Sequence, residues 1–220
     1  MRLSVRALGI AFAVVALATA AITGCGSTPR PTQQSTAVSI PEGWKDFSSQ
    51  TVSLALPSDW TAADLTGDKA QAYYDALAKN NPELAKSLGS ASALAGADFW
   101  ATGPGGSSAQ VRRISREGDT SDVDPLELLQ PIIDQFKSNG FEVTKTEGGL
   151  TVAGLPAGEF TYQRTVKDVN GNDVVLATKL FLLLTRTDAW MIGYGSYGVG
   201  SPPIGDGTAD KSVQTFRTKG

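Results

Sequence analysis

The sequence predicts an α+β fold: an antiparallel β-sheet flanked by helices on both faces, an α/β/α sandwich. Three observations lead there. Two stretches, one opening at Asp68 and one at Asp124, carry apolar residues at helical spacing. From Phe141 to Tyr194 the pattern is strand throughout. Within it, Leu180-Phe181-Leu182-Leu183-Leu184 is apolar on both alternating faces, and a strand buried on both sides needs cover on both sides.

The elements follow in order. Gly43 to Phe47 and Thr51 to Leu56 read as two short strands, the second alternating cleanly, and Pro57-Ser58-Asp59-Trp60 breaks the pattern. Asp68 to Lys79 puts Ala70, Tyr73, Tyr74, Leu77 and Ala78 on one helical face. Asn80-Asn81-Pro82 stops it, and Asn81 caps a short helix that ends at Gly89. Ala97 to Ala101 and Ala109 to Ser115 are strands around the turn Gly103-Pro104-Gly105-Gly106. Asp124 and Pro125 start the main helix, whose buried stripe is Leu126, Leu129, Ile133 and Phe136. Pro131 inside it predicts a kink. Strands over 141–146, 150–152 and 158–166 lead to Asn170-Gly171, a two-residue hairpin signal. Strands over 174–185 and 189–194 complete the sheet, and Asp210 to Arg217 is a closing helix with Val213 and Phe216 inward.

The first residues carry a different message. Arg2 and Arg6 precede an apolar run from Ala7 to Ile22, which is short for a membrane span and suits a secretory leader. Ile22-Thr23-Gly24-Cys25 follows and resembles the bacterial lipobox. The resemblance implies lipid transfer to the Cys25 sulfur and cleavage between Gly24 and Cys25. Cys25 is the only cysteine in the chain, so it has no internal disulfide partner. The expected organisation is a leader at 1–24, a lipidated tether rich in Ser, Thr, Pro and Gln at 25–40, and one domain at 41–220. Two or three acyl chains would hold such a protein firmly on a membrane.

Composition narrows the chemistry. The 19 basic residues lose two with the leader and stand against 22 acidic ones, leaving a mature net charge of −5. That argues against nucleic acid, which calls for a basic face. There is no histidine, and no cysteine beyond the lipid site. The commonest general base, the usual zinc ligands and the thiol nucleophile are missing together, so no enzyme activity, metal or cofactor is expected.

The remaining motifs favour structural readings. Gly193 to Gly198 matches G-x-G-x-x-G, but Val199-Gly200-Ser201-Pro202-Pro203 cannot open the helix a dinucleotide site needs, which leaves a Gly-rich loop after a strand. Asp168 to Asp173 lacks the glycine and the glutamate of a calcium loop. Trp44, Trp60, Trp100 and Trp190 lie in or beside strands and read as core or half-core.

The order of elements resembles the Mog1/PsbP-like fold. The residues that carry it are Phe47, Leu54-Ala55-Leu56-Pro57-Ser58-Asp59-Trp60, Leu155-Pro156-Ala157-Gly158-Glu159, the hairpin about Asn170-Gly171, Trp190-Met191-Ile192-Gly193-Tyr194, and Ser212-Val213-Gln214-Thr215-Phe216. With its lipobox, the chain looks most like the actinobacterial LpqN-type lipoproteins. The resemblance implies an accessory or adaptor protein without catalysis, lipid-anchored on the extracytoplasmic face of the plasma membrane. Its partner would be another envelope protein; the alternative is a carrier for a lipid or other apolar ligand.

Loops carry function on rigid scaffolds, which draws attention to 103–108 and 195–207 and to their apolar residues Tyr197 and Ile204. Tyr197→Ala with Ile204→Ser is expected to weaken partner capture in a pull-down. Unchanged capture removes both residues from the interface.

Overall fold

The computed structural model describes residues 38–80, 94, 96–115, 119–120, 122–167, 172–197 and 206–219. The elements are β1 (Trp44–Ser48), β2 (Val52–Pro57), β3 (Thr61–Asp64), α1 (Lys69–Asn80), β4 (Ala97–Thr102), β5 (Ser108–Ser115) and α2 (Pro125–Ser138). They continue with β6 (Glu142–Val152), β7 (Leu155–Lys167), β8 (Asp173–Leu184), β9 (Asp188–Tyr197), α3 (Thr208–Val213) and β10 (Arg217–Thr218). Seven strands form one antiparallel sheet in the order β3-β4-β5-β9-β8-β7-β6, and β1-β2-β10 form a second, three-stranded sheet.

The large sheet is buried on both faces, as the run Leu180–Leu184 demands. Leu180, Leu182 and Leu184 join Phe160, Tyr162 and the α2 residues Leu129, Ile132 and Ile133 on one face. Phe181 and Leu183 join Trp190, Ile192 and Tyr194 on the other, under Val52, Leu54 and Leu56 of β2 and Val213 of α3. The two covers are unlike. Helices α1 and α2 lie over one face; the three-stranded sheet closes most of the other, with the six-residue α3 against β2. Helices on both faces therefore describes the arrangement only in part. What holds is a mixed α+β fold, mostly antiparallel, with few helices.

Helix α2 forms as its caps dictate. The Asp124 carboxylate accepts from Leu126 N at 2.9 Å, with Pro125 at the first position. The helix runs on through Pro131, which is exposed. The carbonyl that Pro131 leaves without a donor is that of Glu127, which is also exposed and so open to solvent. Phe136 lies 4.1 Å from Tyr162, ring centre to ring centre, and Phe160 stacks on Tyr162 at 5.5 Å. Gly158 makes this docking possible: a Cβ there would stand 3.2 Å from the backbone N of Leu126.

Several elements depart from expectation. Thr61–Asp64 adds β3 at the sheet edge, where small and polar residues gave no alternation to read. Strand β6 is continuous, its register shifting between Glu147 and Leu150 around Gly148 and Gly149. Gly195 to Tyr197 are strand and not loop, since β9 runs to Tyr197 and pairs Gly195 with Ser108 and Thr178; Gly198 and the residues after it up to 205 lie outside the described residues. The closing helix ends at Val213 and the chain turns into β10. The hairpin tip Asn170-Gly171 and the short helix after Asn81 lie outside the described residues.

The early end of α3 has a cause. Strand β10 pairs with β2 only at Val52 and Ser53, so Ala55 further along β2 lacks a strand on that side. Ser212 Oγ donates to Ala55 O at 2.7 Å, and Ala55 N donates to Thr215 Oγ1 at 2.8 Å. Two buried side chains thus stand in for the missing strand. Thr215→Val strands the Ala55 N–H and is expected to cost about 1–3 kcal/mol. Urea unfolding measures it; an unshifted midpoint would overturn this account. At the β6–β7 turn, Ala153 and Gly154 both have positive φ, 51° and 77°, the pattern that Asn-Gly favours. Ala153→Asn is expected to raise stability by about 0.5–1 kcal/mol, relieving left-handed strain. A loss in the same titration argues against it.

Candidate functional site

Alternation along β8 puts Lys179 on the same face as Phe181 and Leu183, the face turned from α2. A lysine there should be out of place, yet it is buried, 8 % exposed, in the middle of the sheet. The register of the neighbouring strands explains it. Glu159 of β7 pairs directly with Phe181, and Glu147 of β6 pairs directly with Glu159. Two glutamates opposite one another repel unless a cation lies between them. Lys145 supplies one, with Nζ 2.6 Å from both Glu147 Oε2 and Glu159 Oε1. Lys179 Nζ holds the other Glu159 oxygen at 3.1 Å and Asp210 Oδ1 of α3 at 2.5 Å. Its ammonium also lies 5.1 Å from the centre of the Phe181 ring.

The result is a ladder of alternating charge, Glu147–Lys145–Glu159–Lys179–Asp210, that crosses from the sheet edge to α3. Its middle pair is buried and its ends are open to solvent. A cleft of about 320 Å³ opens along it, with Leu150, Val152 and Val213 forming an apolar side. The hydrogen bonds to Glu147 and Glu159 hold the Lys145 ammonium well above its ordinary pKa. Near the α3 end, the hydroxyl of Tyr194 is fully buried, with no well-formed hydrogen bond among the described residues. Burial raises its pKa far above the usual phenol range; the Ser212 hydroxyl opposes this and the Asp210 charge adds to it. The ladder's three carboxylates are each engaged by a lysine, and among the described residues no group of metal-ligating side chains stands together.

A second cleft, of about 390 Å³, opens at the β8–β9 turn and is lined by Arg113, Arg186, Asp188, Trp190, Thr218 and Lys219 among others. Both clefts are open and carry charge. Trp60, Trp100 and Trp190 are core residues, and Trp44 is half-buried, as the sequence indicates. Gly24, Cys25 and Ile204 lie outside the described residues. Tyr197 ends β9 opposite Leu176, and its side chain is likewise outside them. The ladder was not singled out from sequence. One signal for it exists: Lys179 is the one charged residue, at an inward position, in the mostly apolar stretch 174–184.

Lys179→Met leaves Glu159 buried against one lysine only and is expected to cost about 3–5 kcal/mol. Adding Glu159→Leu should restore much of that loss, because a buried ion pair replaced whole by apolar groups is close to neutral. An additive double variant in urea unfolding would contradict the ladder as a coupled unit. The Lys145 contribution has a definite sign with pH. Its folded pKa is raised, so the contribution is complete below the ordinary value of 10.5 and is lost as pH rises through the folded value. Lys145→Met should flatten the fall in stability above that pH; an unchanged slope would assign the fall elsewhere.

No protein-family model and no curated protein matches the chain. Solved structures match the chain at low identity and with TM-scores below 0.5. A crystal structure from Bacteroides thetaiotaomicron matches with 12 % identity and a TM-score of 0.44, covering 81 % of this chain and 49 % of that one, so the chain spans about half its length. Cyanobacterial PsbP (CyanoP) from Synechocystis sp. PCC 6803 matches with 13 % identity and a TM-score of 0.45, over 85 % and 98 % of the two chains. LpqN of Mycobacterium tuberculosis, described as involved in cell envelope biogenesis, matches with 12 % identity and a TM-score of 0.42, over 77 % and 83 %. PsbP and LpqN are the two names that the sequence resemblance brings together.

Proposed function

We propose that this chain is a non-enzymatic envelope lipoprotein, held on the extracytoplasmic face of the plasma membrane through Cys25, whose domain binds an envelope protein. The observation that carries the reading is the charge ladder along an open cleft. A buried Lys179–Glu159 pair is costly to keep in a sheet centre, and apolar replacements of similar volume are often as stable. The pair's ends reach solvent through Lys145, Glu147 and Asp210, so the same groups that strain the core offer a directional pattern to a partner. Charge patterns of this kind select partners and reject wrong ones more than they add raw affinity.

The alternative, a carrier for an apolar ligand, calls for a mostly apolar pocket that buries most of its ligand. The two clefts are open and charge-lined, and aromatic side chains fill both faces of the large sheet. These observations favour the protein-binding reading.

Two experiments test the parts separately. Cys25→Ser is expected to abolish incorporation of labelled palmitate and to move the protein out of the membrane fraction; unchanged labelling would refute the anchor. Glu147→Lys with Asp210→Lys reverses the exposed ends of the ladder and is expected to lower crosslinking to the partner in intact cells by about tenfold or more. Undiminished crosslinking by a folded variant would remove the ladder from the interface.

A further inference from the structure

The second cleft lies where the β8–β9 turn meets the starts of β2 and β9 and the end of β10. Its lining has three cations, Arg113, Arg186 and Lys219, against one carboxylate, Asp188. The carboxylate is already engaged: Arg113 Nε donates to Asp188 Oδ1 at 2.8 Å, and Thr187 Oγ1 bonds its other oxygen at 2.9 Å. Burial raises the Asp188 pKa, but the hydrogen bonds from Arg113 and Thr187 and the Arg113 charge together more than offset it, so the net shift is downward and the group stays ionised. Behind the cleft, Asp98 takes the Thr51 hydroxyl at 2.8 Å and the backbone N–H of Arg113 at 3.0 Å.

The cations are less fully engaged. Arg186 makes no ion pair among the described residues, and its side chain is exposed. Among the described residues Lys219 Nζ has a single bond, to the neutral Ser49 carbonyl at 2.9 Å. The Arg113 guanidinium keeps its two terminal nitrogens free of hydrogen bonds among the described residues while lying 5.8 Å from the centre of the Trp190 ring. Trp190 is 3 % exposed, and its indole Nε1 is a buried donor with no partner among the described residues. A buried donor left without an acceptor needs an explanation. The lining charge is +2 in a chain whose net charge is −3.

We infer that this cleft binds a phosphate-bearing ligand. A phosphate monoester carries about −1.5 to −2 charge at pH 7, which matches the lining, and its oxygens accept charge-assisted hydrogen bonds from Arg and Lys. The volume exceeds what a phosphate fills and leaves room for an organic group beside Trp190 and Thr218. The site is separate from the ladder, so the inference stands or falls independently of the partner proposal.

The test uses the full chain in neutral detergent micelles and follows the Trp190 Nε1–H resonance, assigned through bonds, during titration. The probes are inorganic phosphate, glycerol 3-phosphate, and phosphatidic acid doped into the micelles, each against sodium chloride at equal ionic strength. A saturable shift with a dissociation constant of about 1 mM or tighter is expected, and Arg186→Ala with Lys219→Ala should weaken it at least about tenfold. Saturation with phosphatidic acid alone assigns the phosphate to a lipid headgroup; saturation with the soluble ester assigns it to a free ligand. A response no larger than that to chloride for every probe overturns the inference, as does equal affinity in the double variant.

Discussion

Leu180 to Leu184 point apolar side chains to both faces of β8, so the seven-stranded sheet has no face to turn to water. The rest of the structure answers that constraint. One face meets α2, where Leu129, Ile132 and Ile133 pack against Phe160, Leu180 and Leu182, and an aromatic group around Phe136 and Tyr162 seals the edge. The other face meets the β1–β2 hairpin. A helix offers a continuous apolar stripe, whereas a three-stranded sheet with a two-residue last strand does not reach across seven strands. The second cover leaves a cleft beside Lys145, Glu159 and Lys179 of β6, β7 and β8, and the charge ladder lies along it.

The small sheet holds together by borrowing from α3. Strand β2 has a full partner in β1 and only a stub in β10, and Ser212 and Thr215 supply a donor and an acceptor to Ala55 in place of strand backbone. This fixes α3 against β2 and, with it, Asp210 against Lys179. The electrostatics of the cleft thus depend on a hydrogen-bonding problem in the neighbouring sheet. Gln214 adds a third tie, accepting from Ala153 N at 3.0 Å and joining α3 to the β6–β7 turn. The α3 segment is the junction between both sheets and the ladder.

The large sheet was mostly legible because its long strands carry strong patterns. The apolar run in β8 and the Asp124-Pro125 start of α2 each rest on a local rule that the tertiary structure obeys. Strands β3 and β10 were not legible: four and two residues long, they take their conformation from a neighbour and have no pattern of their own. The closing helix was overread because Val213 and Phe216 share a helical face, while Thr215, between them, turns back to bond Ala55 and Ser212. The ladder was half legible. Lys179 at an inward position of an apolar strand marks it, but the direct pairing of Glu147 with Glu159 depends on where β6 shifts register at Gly148 and Gly149. Register across a bulge is a property of the assembled sheet, and local composition does not encode it.

Two clefts of opposite character lie along one strand. The ladder centres on Lys179 and carries one more carboxylate than it has lysines; the second cleft includes Thr185, just beyond the end of β8, and carries excess positive charge. Six residues of strand separate those points, about 20 Å. Exposed charges that far apart are largely screened at physiological ionic strength, where the Debye length is about 8 Å. Each cleft therefore keeps its own sign toward a ligand despite the acidic character of the whole chain. A basic segment of a partner on the ladder and an anionic group by Trp190 would meet complementary fields without competing, which is the arrangement a module needs if it is to hold two different surfaces at once.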